Sequence, residues 1–284
     1  VRADSQEESP ASSRLAIDPE LTEALLVDFI RREIRRTGMR RAVVGISGGL
    51  DSAVVLALAV RALGKRSVLA VVLPYRTSSP SSERDAMALL RDLGVRQVRV
   101  DISPMVDEYF RRFPSADRQR RGNKMARERM AILYDLSMQW NALVLGTTNK
   151  SEMLLGYGTI HGDLACALHP IGDLYKTQVR QLARHLGVPG RILRKPPSAD
   201  LYPGQTDEGE LGYSYARVDR LLHLLVDLRG DAREALRCGF PRRMIERVSE
   251  RIRRSQFKRR MPLIAKVSER TIGVDFRYPR DWGN

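Results

Sequence analysis

Cysteine is scarce in this chain of 284 residues: only Cys166 and Cys238 occur, far apart. Two isolated thiols exclude a disulfide framework and a thiolate zinc site, and a reducing cytoplasm is the simplest address for them. Histidine is nearly as rare. His161, His169, His185 and His223 have no metal-ligand spacing, so each is expected to be structural or on the surface. No apolar run approaches the ~20 residues that cross a bilayer, so no membrane association is expected. The polar stretch Val1 to Arg14 lacks the apolar core of a signal peptide. Internal repeats and low-complexity runs are missing too.

Lysine is almost absent from a strongly basic chain. The net charge is +15, yet seven lysines stand against forty-two arginines. Five of the seven (Lys124, Lys150, Lys176, Lys195 and Lys258) fall in or beside the motifs below. An ammonium is a compact point charge that a planar guanidinium does not replace. These lysines are therefore expected where geometry forbids the exchange. Between Arg229 and Arg260 twelve basic residues face four acids and recur around a helical face, with Glu250 four positions before Arg254. A solvated helix face accounts for them, and nucleic acid is not expected as a partner. Nucleotide substrates would also be drawn by such a field.

Apolar content of 43% and charged content of 29% are those of a soluble globular protein. The length suits one large α/β domain, or one with a helical appendage. Residues 1–16 read as a disordered tail and 17–284 as a single domain. Pro19 to Arg36 reads as an amphipathic helix with Leu21, Leu25, Phe29 and Ile30 inward. The run Ala42 to Val44 reads as a buried strand, and Ala53 to Val60 as a helix ending near Gly64. Strands are expected over Ser67 to Leu73, Val95 to Ile102 and Ala142 to Gly146, with helices over Ser82 to Leu93 and Lys124 to Trp140. Ser82 with Asp85 makes a capping box, and Gly94 a C-cap. This alternation predicts βαβ units and a Rossmann-like parallel sheet with helices on both faces. Ligands of such sheets sit at the carboxyl ends of strands, where Ser47, Pro74 and Thr147 fall. Beyond a helix at Leu174 to Leu186, the stretch Lys195 to Gly212 reads as a long Pro/Gly-rich loop of the kind that is usually functional. Two or three helices and an irregular tail from Gln256 complete a helical C-terminal part.

Between the first strand and its helix runs Gly45-Ile46-Ser47-Gly48-Gly49-Leu50-Asp51-Ser52. Free amides and the helix dipole at a helix N-terminus favour an anion. Gly48 and Gly49 let backbone approach a ligand, and Ser47 and Ser52 add hydroxyls. Asp51 puts a carboxylate where phosphates repel it, which makes sense if a cation, Mg²⁺, lies between them. The loop lacks the Lys-Ser/Thr of a Walker A sequence, and G-x-G-x-x-G is absent. Ser-Gly-Gly-Leu-Asp-Ser instead resembles the pyrophosphate loop of enzymes that split ATP into AMP and pyrophosphate.

Four further stretches join it: Asn123 to Met130, Gly146 to Glu152, Leu174-Tyr175-Lys176-Thr177, and Lys195 to Leu201, whose loop ends in Gln205-Thr206-Asp207-Glu208. The ordered set resembles ammonia-dependent NAD synthetase, an N-type ATP pyrophosphatase with the adenine nucleotide alpha-hydrolase-like fold, from about Leu25 to the C-terminus. The resemblance implies a ligase that amidates deamido-NAD with ammonia through an adenylated intermediate, giving NAD, AMP and pyrophosphate. It implies ATP contacts by Gly45, Ile46, Ser47, Gly48, Gly49, Leu50, Asp51, Ser52, Thr147, Lys176 and Ser198. Mg²⁺ would lie on Asp51 and Glu152, which with Lys176 form the catalytic set. Arg127, Asp163, Phe257 and Lys258 would meet deamido-NAD at the interface of a homodimer. Where many stand-alone members carry Lys and Asp, this chain has Ile160 and Ala167, and Phe257 replaces a His. The stretch Gly156 to Asp163 is closer to glutamine-dependent members, which leaves Asp163 or Tyr157 to supply those contacts and a separate glutaminase subunit as one source of ammonia. The alternative is a tRNA-modifying enzyme of the same superfamily that adenylates a base. Its thiolating members need catalytic cysteines, and no Cys-x-x-Cys pair occurs here.

Overall fold

The computed structural model describes residues 15–198, 206–273 and 275–276. Four strands, β1 (Ala42–Gly45), β2 (Val68–Val72), β3 (Arg96–Arg99) and β4 (Leu143–Leu145), form one sheet in the order β3-β2-β1-β4. Every neighbouring pair is parallel, with Ala42 opposite both Val68 and Leu143. Side chains of a strand alternate between faces. Val43, Leu69 and Val71 accordingly pack one way, and Val44, Val68, Ala70 and Val72 the other.

The second face carries α1 (Pro19–Arg36), α2 (Leu50–Leu63) and α3 (Pro80–Leu93). The first carries α4 (Ser103–Arg111) and α5 (Arg118–Trp140). Helix α2 buries ten of its fourteen residues because it lies between the sheet and other helices, which explains an apolar run with no polar face. Helices α6 (Lys150–Leu155), α7 (Lys176–His185) and α8 (Gly190–Leu193) follow β4. The C-terminal part comprises α9 (Asp207–Leu211), α10 (Tyr215–Leu222), which runs into a π turn, α11 (Ala232–Arg237) and α12 (Arg242–Arg254). It has its own core of Tyr215, Val218, Leu221, Leu222, Met244, Ile245 and Val248. Helix α12 keeps its arginines outward, and Glu250 meets Arg254 at 3.2 Å.

Several local expectations need correction. In α1 Ile30 points inward as expected, with Ile34, and Phe29 is partly covered along with Leu26 and Val27, while Leu21 and Leu25 are 57% and 61% exposed. The sequence holds two overlapping apolar stripes, and packing on α2 selects the later one. Helix α3 is capped at Ser79 with Pro80 in its first turn, not at Ser82. Ser82 and Asp85 instead hold Lys195 and Arg191. Helix α5 opens at Arg118 under an Asp117 cap, five residues ahead of Asn123 and nine ahead of Arg127. The loop expected over Lys195 to Gly212 contains α9; its residues 199–205, including Asp200, Leu201 and Gln205, lie outside the described residues. Of the expected tail, residues 1–14 lie outside them too. Leu15 is buried, and the Gln181 side chain bonds Leu15 O and Ile17 N at 3.0 and 3.1 Å.

Candidate active site

The carboxyl edge of β1 turns into α2 through the Ser-Gly-Gly loop. Ser47 and Ser52 hydroxyls lie 3.2 Å apart, Ser52 Oγ donates to Gly49 O, and Gly49 N donates to Ser47 Oγ. Both hydroxyls thus shape the loop. Gly48 has φ +77°, and a Cβ there would lie 2.0 Å from Ser82 O. Its glycine is required by the close approach of α3, not only by the left-handed backbone. No side chain caps α2, so its first amides are left for another acceptor.

A second loop leaves β4 at Gly146 to Asn149 and enters α6. Gly146 tolerates no side chain: a Cβ would meet Cys166 Sγ at 2.5 Å and His169 Nδ1 at 2.6 Å. Asn149 caps α6 in a capping box, accepting from Glu152 N at 3.0 Å, while Asn149 N donates to Glu152 Oε2 at 3.3 Å. Its amide also reaches across, donating to Asp51 Oδ1 at 2.9 Å. One buried asparagine therefore orients both carboxylates.

Lys176, the first residue of α7, closes the constellation. Its Nζ lies 2.5 Å from Asp51 Oδ2 and 3.1 Å from Glu152 Oε1, and the residue is 4% exposed. Its backbone is fixed from below by a sealed network. Lys176 N donates to Ser151 Oγ at 2.9 Å, Ser151 Oγ to Asp219 Oδ1 at 2.6 Å, and Thr177 N to Asp219 Oδ2 at 2.9 Å. Asp219 is fully buried and serves the unpaired amides of the α7 N-terminus.

Charge in this cluster is strongly perturbed. Burial pushes the Glu152 carboxyl up to about 8, with Lys176 opposing and Asp51 and Asp207 adding to the rise. Burial works against the Lys176 ammonium, but Asp51 and Glu152 outweigh it and hold the group charged. Three carboxyl groups, Asp51, Glu152 and Asp207, thus act on the one ammonium.

A cavity of about 920 Å³ opens over these groups. Gly45, Ile46, Ser47, Gly49, Leu50, Asp51 and Ser52 line it, as do Thr147, Glu152, Lys176 and Ser198. Asp163 and Lys258 line it too. Lys258 Nζ donates to Gly156 O and Gly158 O at 2.8 and 2.7 Å, so it braces the turn that forms part of its wall. Asp163 Oδ1 accepts from Thr159 N at 2.7 Å. Gly48, Arg127 and Phe257 are not on the cavity wall. Arg127 is exposed and donates to Ile160 O at 3.3 Å, and Phe257 is 59% exposed. Of the other motif lysines, Lys195 lines the cavity and bonds Ser82 Oγ at 2.6 Å. Lys124 and Lys150 pair with Glu128 and Asp227 away from it. Sequence reasoning missed Asn149, Ser151 and Asp219 as positioning residues. The first two lie inside a quoted motif; Asp219 carries no local signal.

Two strand-end loops that place a carboxylate each beside one buried lysine, under a Ser-Gly-Gly turn at a helix N-terminus, define an α/β ligase of the ATP-pyrophosphatase class. Residues 22–262 match NAD synthase, and the chain belongs to that family. It is 54% identical over 271 residues to the NH(3)-dependent NAD(+) synthetase of Trichlorobacter lovleyi, covering 95% of this chain and 99% of that one. Among solved structures, the NH3-dependent NAD synthetase of Campylobacter jejuni superposes with a TM-score of 0.76 at 33% identity, over 88% of this chain and 100% of that one. The NMN synthetase of Francisella tularensis does so with a TM-score of 0.78 at 33% identity, over 88% and 99%.

Proposed function

We propose that this chain is an ammonia-dependent NAD synthetase that joins ammonia to the nicotinate carboxylate of deamido-NAD at the expense of ATP. The observation that carries the reading is the Lys176 head group held between Asp51 and Glu152 on the wall of a cavity of about 920 Å³. A carboxylate is a poor electrophile, being anionic and having only oxide to expel. In the proposed reaction its oxygen attacks the α-phosphorus of ATP and pyrophosphate leaves. Ammonia then attacks the acyl carbon and AMP departs with the electron pair of the broken acyl–oxygen bond. Such chemistry asks for positioning and neutralisation of phosphate charge rather than a covalent nucleophile. The α2 N-terminal amides hold phosphate, and Lys176 supplies a fixed positive charge beside it.

Asp51 and Glu152 suit Mg²⁺: two hard oxygen donors, with phosphate oxygens and water to complete the shell. Among the described residues no three His, Cys, Asp or Glu side chains converge as a metal centre, which agrees with an ion that arrives with nucleotide. When bound, the ion would neutralise phosphate charge.

The partner expected of the family, a second copy of the chain, is supported by α5. This helix of 23 residues buries only Gly122, Met125 and Ala126, and leaves Met138 85% and Tyr134 41% exposed. Substrate contacts by Arg127 and Phe257, off the cavity of one chain, fit a site shared between two. No described helix is long and apolar enough to cross a membrane.

The test is to incubate purified chain with ATP, Mg²⁺ and deamido-NAD, or nicotinate mononucleotide, and either ammonium or glutamine. NAD and AMP from ammonium and deamido-NAD support the reading. Preference for the mononucleotide would change the substrate, equal turnover with glutamine would change the nitrogen source, and no amide from either nucleotide would refute it.

A further inference from the structure

One buried carboxylate takes no part in the chemistry above. Asp207 opens α9 at the end of the long loop and lines the cavity, yet it is 3% exposed. Its Oδ2 accepts from Tyr215 Oη at 3.3 Å, while its Oδ1 has no hydrogen-bond partner among the described residues. The backbone fixes it in place: Asp207 N donates to Pro197 O at 2.9 Å, and Thr206 caps the helix. Burial drives this carboxyl toward its neutral form, and the anion is favourable there only if a cation comes to it. Lys176 is the neighbouring cation, but its head group is committed to Asp51 and Glu152.

The missing cation is not a metal held by protein alone, because no three ligating side chains converge among the described residues. A small cation that is itself a hydrogen-bond donor fits better. The neighbours are aromatic as well as acidic. The ring of Tyr215 already faces one ammonium, Lys176 Nζ at 5.4 Å. Tyr157 is a second neighbour, its hydroxyl bonding Asp207 as well as donating to Glu210 at 2.8 Å. Rings of this kind hold ammonium ions through their π faces. Asp207 thus shares the cavity wall with Lys176, whose charge it feels, and with Tyr157 of the turn from Gly156 to Asp163.

We propose that Asp207, with Tyr157 and Tyr215 around it, is the subsite that captures the ammonium ion for this reaction. Oδ1 accepts an N–H of the ion and takes that proton as ammonia leaves to attack the acyl carbon, and Tyr157 and Tyr215 hold the carboxylate in place. The inference rests on the synthetase reading of the cavity.

Hydroxylamine separates this role from a structural one, because it is a nucleophile of similar size that is uncharged at neutral pH. Wild type, Asp207→Asn and Asp207→Glu are compared with each nucleophile, with circular dichroism to check the fold. Asp207→Asn should raise the KM for ammonium about ten- to a hundredfold, the usual loss for a hydrogen bond to a charged group. Its KM values for ATP and deamido-NAD should stay within about twofold of wild type, as should kcat/KM with hydroxylamine. Asp207→Glu should recover part of the ammonium affinity. An unchanged KM for ammonium, or an equal loss with both nucleophiles, would overturn the assignment. If Asp207→Asn does not fold, the Glu variant decides alone, since a purely structural defect would impair both nucleophiles. A wild-type chain that forms no product from either nucleophile would refute the synthetase reading itself.

Discussion

Lys176 Nζ and Asp51 Oδ2 lie 2.5 Å apart although 125 residues separate them in the chain. The contact joins the Ser-Gly-Gly loop after β1 to the start of α7, and Glu152 completes a compartment around the ammonium head group. A guanidinium is planar and wider, and cannot enter it in the same place. Lys176→Arg should therefore lower kcat by about a hundredfold or more, the scale of losing one donor aimed at a transition state. Lys65→Arg, at an exposed turn, should leave turnover unchanged. Steady-state rates of the two variants check this; equal rates would show that the scarcity of lysine carries no information about the site.

Asp219 does not line the cavity, yet it holds the backbone that places Lys176. Asp219→Ala leaves the Ser151 hydroxyl proton and Thr177 N without their acceptor in the interior. The expected loss is about 2–4 kcal/mol of stability, as for breaking a buried, charge-assisted hydrogen-bond set. Urea unfolding measures that loss. In the fraction that remains folded, kcat should fall as Lys176 shifts. A variant as stable and as active as wild type would remove Asp219 from the account.

Burial drives the Glu152 carboxyl up to about 8, above its ordinary 4.5. In the empty enzyme its contribution to stability is complete below about 4.5 and is lost as pH rises through about 8. A divalent cation needs the ionised form, so cation affinity should increase over the same range and binding should release a proton. Calorimetric titration with Mg²⁺ in buffers of different ionisation enthalpy reads the proton directly. Glu152→Gln should abolish the release; cation binding that does not vary with pH would contradict the shift.

The two cysteines differ in reactivity for a physical reason. Burial raises the Cys166 thiol to about 12, whereas Cys238 is exposed. Iodoacetamide on the folded chain should label Cys238 alone, and Cys238→Ser should retain full activity with ammonium. Neither thiol then serves as the activated nucleophile that releasing ammonia from glutamine requires. Rapid labelling of Cys166 in the native state would reopen that question.

How much of this could be read beforehand depended on the range of the interaction. The first strand, the Ser-Gly-Gly turn and the α2 helix were legible because strand, loop and helix signals adjoin within about twenty residues. Asp51, Glu152 and Lys176 were legible through motif order, though nothing in the spacing states that Lys176 enters between the other two. Leu21 and Leu25 were misread because periodicity offers two stripes and only packing on α2 chooses. Ser82 was misread as a cap because its true partner, Lys195, lies 113 residues away. Asp219 was silent for the same reason: a buried acid in an amphipathic helix looks like any surface acid until Ser151 and Thr177 are folded onto it.

The central claim is that the nicotinate carboxylate is adenylated in this cavity. The most direct test is to label that carboxylate of deamido-NAD with oxygen-18 and follow one turnover with ATP and ammonium by mass spectrometry. Attack on the α-phosphorus followed by displacement of AMP predicts one labelled oxygen in the AMP phosphate and unlabelled pyrophosphate. Label in inorganic phosphate, with ADP as the second product, would contradict it.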